Sequence, residues 1–355
     1  MTSAKSRVGF GLGLGLAVLM AASACGTESS DPSKTLTVTM WGGAAQRVHL
    51  ESYVSPWAQD NEVTIREDSP TDYAKIAAQV QSGNVTWGVV EVEPNYAETA
   101  CAAGTLTPLT AEVKAAAVAA NIDPRFVSDC AVPNLLYAFT IAYNTKTFSD
   151  VHPTTWAEFF DTEKFPGKRG FWNYATGGMF EAALLADGVA PDQLYPLDID
   201  RAFRKLDTIK NDIVFYDTGD EQAQLVASGE APLVQAWSGR IDQAAQEGQP
   251  IANEWGQNFI SYDQVAIPKG YPNTELAMSW MTNFLGDVEG QARDAERSLF
   301  APVNPAALDK VPADVARKLS TYPANISKSA GTIDYSYWAE HYNEVSERLN
   351  SWVLS

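Results

Sequence analysis

Between Thr35 and Cys101, short β-prone runs alternate with helical patterns, and this alternation constrains the fold more than any other feature of the chain. Thr35 to Trp41 (TLTVTMW) alternates as a strand does and ends at Gly42-Gly43. Gln46 to Gln59 then places Val48, Tyr53, Val54 and Trp57 at helical spacing. Glu62 to Arg66 (EVTIR) is a second strand, and Asp72 to Gln81 a helix closed by Gly83. Trp87 to Val92 (WGVVEV) is a third strand, turning through Glu93-Pro94-Asn95-Tyr96 into another helix. Strands separated by helices of about 10 to 14 residues predict an α/β protein with a parallel, doubly wound sheet. Trp41 and Glu93 then fall at strand carboxyl ends, the side on which such sheets bind ligands. For Glu93 the plainer alternative is a solvated acid at a helix N-terminus.

A second stretch, Leu225 to Gly270, offers the other half of a site. Leu225 to Ser228 end a helix at Gly229, and Ala231 to Trp237 form a short apolar strand suited to a buried parallel sheet. Trp237-Ser238-Gly239-Arg240 lies at its carboxyl end. After a polar insert, Tyr262-Asp263 precedes another apolar strand, Gln264 to Ile267, ended by Pro268-Lys269-Gly270. A tryptophan face, a guanidinium and a carboxylate are thus offered by two neighbouring segments, as the floor of a cleft. The alternatives are that Trp237 belongs to the core and that Arg240 and Asp263 form a salt bridge without a ligand.

Elsewhere, Tyr137 to Tyr143 is an uncharged strand, Thr155 to Phe160 starts a helix, and Asn173 to Gly178 (NYATGG) turns into the helix Met179 to Ala186. That turn offers backbone N–H groups but carries no nucleotide-binding pattern. Ile199 to Ile209, Glu221 to Ser228, Asn273 to Leu285 and the aromatic-rich Tyr335 to Leu354 are further helices. The three histidines, His49, His152 and His341, lack paired spacing, so no metal site is expected. No G-x-S-x-G elbow occurs, and no cofactor motif is found. Abundant carboxylates leave a secreted hydrolase as the enzymatic alternative, with no residue marked as catalytic.

At the N-terminus, Lys5 and Arg7 precede the apolar run Val8 to Met20, and Ala21-Ala22-Ser23-Ala24 lead to Cys25. This order reads as an export signal over 1–24, too short and glycine-rich for a membrane span. Cysteine directly after the small residues resembles the lipobox of bacterial lipoproteins, which would make Cys25 a lipid anchor. Ordinary signal cleavage nearby is the alternative. Residues 25–34 contain GTESSDPSK and read as a flexible tether. Losing Lys5 and Arg7 moves the net charge from −19 to about −21, which argues against nucleic acid and anionic membrane surfaces as partners. The roughly 320 residues that follow the tether suffice for two lobes with separate cores. In an exported chain the two remaining cysteines, Cys101 and Cys130, most simply pair, two buried thiols being the alternative.

Three features in order, the lipoprotein-like start, LVASGEAPLVQAWSGR, and DQVAIPKGYPNTELAMSWMTNFL followed by FAPVN, are similar to the bacterial extracytoplasmic solute-binding proteins of ABC transporters. The likeness is strongest to the spermidine/putrescine-binding branch and runs through the mature chain. It implies a type II periplasmic-binding-protein fold: one lobe of residues 35–140 with 262–302, another of 141–261 with 303–355. The crossing strands are expected near Thr140 to Tyr143 and Ser261 to Asp263. It further implies a monomer that hands a small solute to a permease and its ATPase, anchored to the membrane only through lipid. In the polyamine binders, aromatic residues match Trp41 and Trp237, and the amine-binding aspartate matches Asp263. The acid expected after Trp41 is replaced by Gly42-Gly43, and the acidic pair expected in the second lobe falls in NYATGG. With Arg240 added, the pattern suits a ligand with an amine at one end and a carboxylate at the other, such as γ-aminobutyrate. A polyamine held with Glu93 as second carboxylate is the runner-up.

Overall fold

The computed structural model describes residues 31–355. The expected leader, Cys25 and the tether through residue 30 lie outside the described residues. The end of the expected tether is not free chain: Pro32–Lys34 form a 3-10 turn capped by Asp31, and the Asn273 amide donates to the Pro32 carbonyl at 2.7 Å.

Nine strands are found among the described residues: β1 (Thr35–Thr39), β2 (Thr64–Asp68), β3 (Val89–Val92), β4 (Ala131–Asn144), β5 (Arg169–Trp172), β6 (Ile213–Tyr216), β7 (Leu233–Trp237), β8 (Ile251–Ala266) and β9 (Gly331–Thr332). Their hydrogen bonds run in the order β2-β1-β3-β8-β4-β7-β5-β6, with β9 paired on β8. β1 pairs parallel with β2 and β3, and β5 pairs parallel with β6 and β7. These two parallel sets are the α/β units expected from the alternating pattern. Between them lie β4 and β8, antiparallel to each other and to their outer neighbours β7 and β3. The sheet as a whole is therefore mixed, a parallel set on each side of a central antiparallel pair.

β4 is 14 residues long, uncharged and buried along nearly all its length, as a strand covered on both faces must be. β8 is longer still and its first half, Ala252 to Gln257, is polar and half-buried. That half looks like an insert in the sequence, yet Ile251 to Glu254 pair with Asn144 to Ile141. β3 engages β8 at Gln264 to Ala266, whereas β7 engages β4 at Phe139 to Tyr143. β8 pairs with β4 along its whole length, and β7 joins the other edge of β4 from Phe139 onward. The β4–β8 ladder has register shifts at Pro133/Leu135 and Phe139/Ile141. Pro133 has no N–H to give the ladder, so an irregularity there is expected.

Helix Gly43–His49 continues through a π-turn at Leu50–Val54 into Ser55–Asp60. Tyr53 from this helix packs against Trp280 and Phe284 of helix Thr274–Gly286, giving one side of the sheet its aromatic core. Trp156, Phe159, Phe171 and Phe180 form the corresponding core beside β5. Helices Pro305–Leu308 and Ala313–Ala316 pack on Val288–Ser298, itself against Gly43–His49, so packing does not follow the expected boundary at residue 302. Helix Tyr335–Leu354 touches both sides. Ser336 donates to Glu98 in helix Pro94–Ala102, while the Trp338 and Trp352 indoles donate to Glu181 and Asp207. Cys101 and Cys130 are disulfide-bonded, with Cα atoms 5.8 Å apart, fastening helix Pro94–Ala102 to the start of β4.

Candidate functional site

All five residues expected at a ligand site, Trp41, Glu93, Trp237, Arg240 and Asp263, line one cavity of about 620 Å³. The topology explains the convergence. Trp41 and Glu93 follow the carboxyl ends of the parallel strands β1 and β3, and Asp263 enters from β8 just before it pairs with β3. From the other side come Trp237 at the end of β7 and Arg240 in the first turn of helix Ser238–Gln246. Asp217 to Asp220, leading into helix Gly219–Ser228, complete that wall.

On the first wall three carboxylates are buried: Glu91, Glu93 and Asp263. Glu91 accepts from the Asn134 amide at 2.5 Å and from the backbone N–H of Trp41 at 3.2 Å. Glu93 accepts from Tyr73 at 3.2 Å and, across the cleft, from the Thr176 hydroxyl at 3.1 Å. The backbone N–H of Glu93 donates in turn to the Tyr73 hydroxyl at 3.0 Å. Asp263 accepts from the Trp41 indole at 3.0 Å, and its second oxygen takes no hydrogen bond from the described residues. Burial pushes the Glu93 carboxyl up to about 7 even though Tyr174, Thr176 and Tyr73 hydrogen-bond to it. Asp263 is held well above the usual carboxylate range, first by burial and then by the charges of Glu91 and Glu93. A cation placed among these groups would reverse both shifts.

The second wall differs in sign. Arg240 has no ion pair and no hydrogen bond among the described residues, and its Nε is buried without a partner. Burial lowers its affinity for a proton, partly offset by the charges of Asp220 and Glu91. Its stem lies over Gly219, where a Cβ would come within 2.9 Å of the guanidinium Nε. Arg240 and Asp263 form no ion pair, which removes the salt-bridge alternative. The solvated-acid alternative for Glu93 goes as well, since Glu93 is only 4% exposed. Trp237 does both jobs the sequence allowed: it packs edge-on against Trp172 at 4.9 Å and still lines the cavity.

Several cavity residues were not singled out by sequence. Glu91 lies mid-strand in WGVVEV, where period alone assigns it no role. Tyr73, Tyr137, Trp172, Tyr174, Phe300 and Tyr342 supply rings from five separate segments, a convergence no local pattern reveals. His49, buried against Asp294 at 2.6 Å, also reaches the cavity. Burial works against its protonation, but the neighbouring Asp294 and Glu91 outweigh that and raise its pKa. The NYATGG turn gives Tyr174 and the Thr176 hydroxyl, not a nest of backbone donors for an anion. A larger groove of about 1190 Å³ behind the crossing strands has none of these groups, and its Lys114 and Arg125 are paired with Asp129 and Asp123. No cluster of metal-ligating side chains occurs among the described residues.

A family model for bacterial extracellular solute-binding proteins matches residues 53–321, three quarters of the chain. The chain belongs to this family. The binding protein is 31% identical over 327 residues to the gamma-aminobutyric acid-binding protein of Pseudomonas aeruginosa, covering 90% of this chain and 91% of that one. It is 25% identical over 292 residues to spermidine/putrescine-binding periplasmic protein 1 of Haemophilus influenzae, covering 80% and 78%. A solved GABA receptor structure superposes with a TM-score of 0.82 at 38% identity, covering 90% of this chain and 97% of that one. The fold is thus that of the periplasmic binding proteins, as expected from the sequence resemblance. The family is a solute-binding component of ABC import and not an enzyme, which sets aside the hydrolase alternative.

Proposed function

We propose that this binding protein captures a short ω-amino acid, with γ-aminobutyrate the first choice, outside the cytoplasmic membrane and delivers it to an ABC importer. One observation carries the reading: Arg240, half-buried, without an ion pair and with its Nε buried and unpartnered, shares a cavity with a buried carboxylate cluster on the opposite wall. A desolvated guanidinium is stable beside a bidentate carboxylate, and desolvated carboxylates are stable beside an ammonium. A zwitterion of a few methylenes supplies both, with Trp41 and Trp237 covering its chain. The names of the Pseudomonas relative and of the superposed receptor agree with this ligand class. Cys25 as lipid anchor belongs to the same proposal and rests on the leader alone.

Titration of wild type, Arg240→Ala and Asp263→Ala with γ-aminobutyrate and putrescine tests the ligand assignment. Removing one partner of a desolvated charged pair costs about 2–5 kcal/mol, so Arg240→Ala is expected to weaken γ-aminobutyrate by about 30-fold or more while sparing any diamine. Asp263→Ala is expected to lose both. A polyamine is the second reading, favoured by the number of acids: Glu91 and Glu93 join Asp263 on one wall, and Asp217 and Asp220 lie on the other. Binding of putrescine alone, unaffected by Arg240→Ala, would establish that reading instead.

A further inference from the structure

We infer that His49 is a second residue for the anionic end of the solute, its Nε2–H meeting the ligand carboxylate from the wall opposite Arg240; this deepens the zwitterion reading above and rests on it. The placement comes from the helix that carries His49. Ala45, Gln46 and His49 all line the cavity, and spacings of three and four residues put them on one face of helix Gly43–His49. The Phe300 ring, also in the cavity wall, lies 6.1 Å from the His49 ring. The same phenyl edge is what a Cβ on Gly239 would meet at 3.3 Å. Gly239 directly precedes Arg240, so Phe300 spans from His49 to the first turn of helix Ser238–Gln246. Ala44, also on the His49 helix, lines a side cavity of about 680 Å³ together with Arg240. The charges that act on Arg240 are those of Asp220 and Glu91, whereas those that act on Asp263 are Glu91 and Glu93. His49 and Arg240 thus flank one end of the cleft, and Asp263 lies toward the other.

The ring is equipped for an anion. Its Nδ1 is committed to Asp294 at 2.6 Å, which leaves Nε2 as the polar atom for the cavity. Asp294 also accepts from the Ser298 hydroxyl at 3.0 Å, so the acid that orients the ring is itself held within helix Val288–Ser298. An imidazole bound through Nδ1–H to a carboxylate takes its second proton on Nε2. Asp294 and Glu91 favour that proton, burial and Arg240 oppose it, and Tyr53 stacks on the ring at 5.8 Å. The protonated ring is a charge-assisted donor aimed at the cleft. Arg240 stands on the wall built around β7 and His49 on the wall built after β1, so a carboxylate between them ties the two walls together. A diamine would instead bring an ammonium between a guanidinium and an imidazolium, a like-charge contact that selects against it.

Calorimetry with γ-aminobutyrate at pH 6.5 on wild type and His49→Asn, joined by NMR of wild type carrying ¹⁵N-labelled histidine, tests the inference. Asparagine places its amide near the position of Nδ1, so the bond to Asp294 is kept while the Nε2 donor is lost. His49→Asn is expected to weaken γ-aminobutyrate about tenfold or more, with a ligand-free melting temperature close to that of wild type. In wild type, saturating γ-aminobutyrate is expected to raise the pH midpoint of the His49 Nε2 signal by about one unit or more, because a neighbouring anion favours the imidazolium. Cleft closure without that contact would strip water from the ring and lower the midpoint. His152→Gln and His341→Gln assign the signal. Equal affinity in wild type and His49→Asn overturns the inference and leaves the zwitterion reading standing. An unchanged or lowered midpoint overturns it too, and decides the matter if His49→Asn does not fold. Failure of wild type to bind γ-aminobutyrate overturns both readings.

Discussion

The Glu93 carboxyl makes folding and binding depend on pH in opposite directions, and the size of both effects follows from its burial. Its pKa is raised in the fold to about 7 from a usual value near 4.5. The folded protein therefore keeps a proton that the unfolded chain releases on going from pH 4.5 to 7. The stabilisation from that proton is complete below about pH 4.5 and is lost as pH rises through 7, a decline of about 3 kcal/mol at 1.36 kcal/mol per unit. A cation in the cavity favours the charged carboxylate, so its affinity should rise with pH, by up to about tenfold per unit below pH 7, and level off above. At pH 7 about half a proton should leave Glu93 per cation bound, a release that calorimetry in buffers of different ionisation enthalpy reads directly. Glu93→Gln should remove its share of the stability decline, leaving the shares of Asp263 and of Asp242, which burial also pushes up to about 7. It should reduce the affinity slope to the part due to Asp263. The reasoning fails if the ligand-free protein is equally stable at pH 5 and pH 8, or if wild type and Glu93→Gln share one pH profile of Kd.

Other expectations follow from single contacts. Gly219→Ala should push the Arg240 stem aside and weaken an ω-amino acid far more than a diamine, a difference paired titrations would expose. Cys101→Ser should lower stability by about 3–4 kcal/mol in the chain-entropy account of a loop of this length, measured by denaturant unfolding with and without reductant. Alkylation without reductant should label neither Cys101 nor Cys130 in the wild type. Cys25→Ser should release the protein from the detergent phase to the medium, and an unchanged distribution would refute the lipid anchor.

Legibility in the sequence followed how locally each feature is encoded. Strand β1 and the helix Met179–Ala186 were readable because period and punctuation agree within a dozen residues. Trp41, Glu93 and Trp237 were readable as cavity residues because strand ends in an α/β sheet point to one face, and Arg240 because it follows Trp237 by three residues. Asp263, inside β8, was readable through the family resemblance. Glu91 was not, because its place depends on Asn134 forty-three residues away. The polar half of β8 was not, because its partner Asn144 to Ile141 lies on a strand more than a hundred residues earlier. The point at which β7 joins β4 left no mark, since β4 is uncharged on both sides of it.

The long reach of these contacts bears on when the cavity comes into being. Trp41 bonds to Asp263 across 222 residues, Glu93 to Thr176 across 83, and Tyr342 joins the same walls. Pairings so distant close late, because loop entropy must be overcome before they contribute. A solute that touches all of them has nothing to hold in the transition state for folding. Saturating ligand should then slow unfolding and leave the refolding rate unchanged. A chain travelling unfolded toward the outside would then not be trapped on the way by any solute of its own that it met.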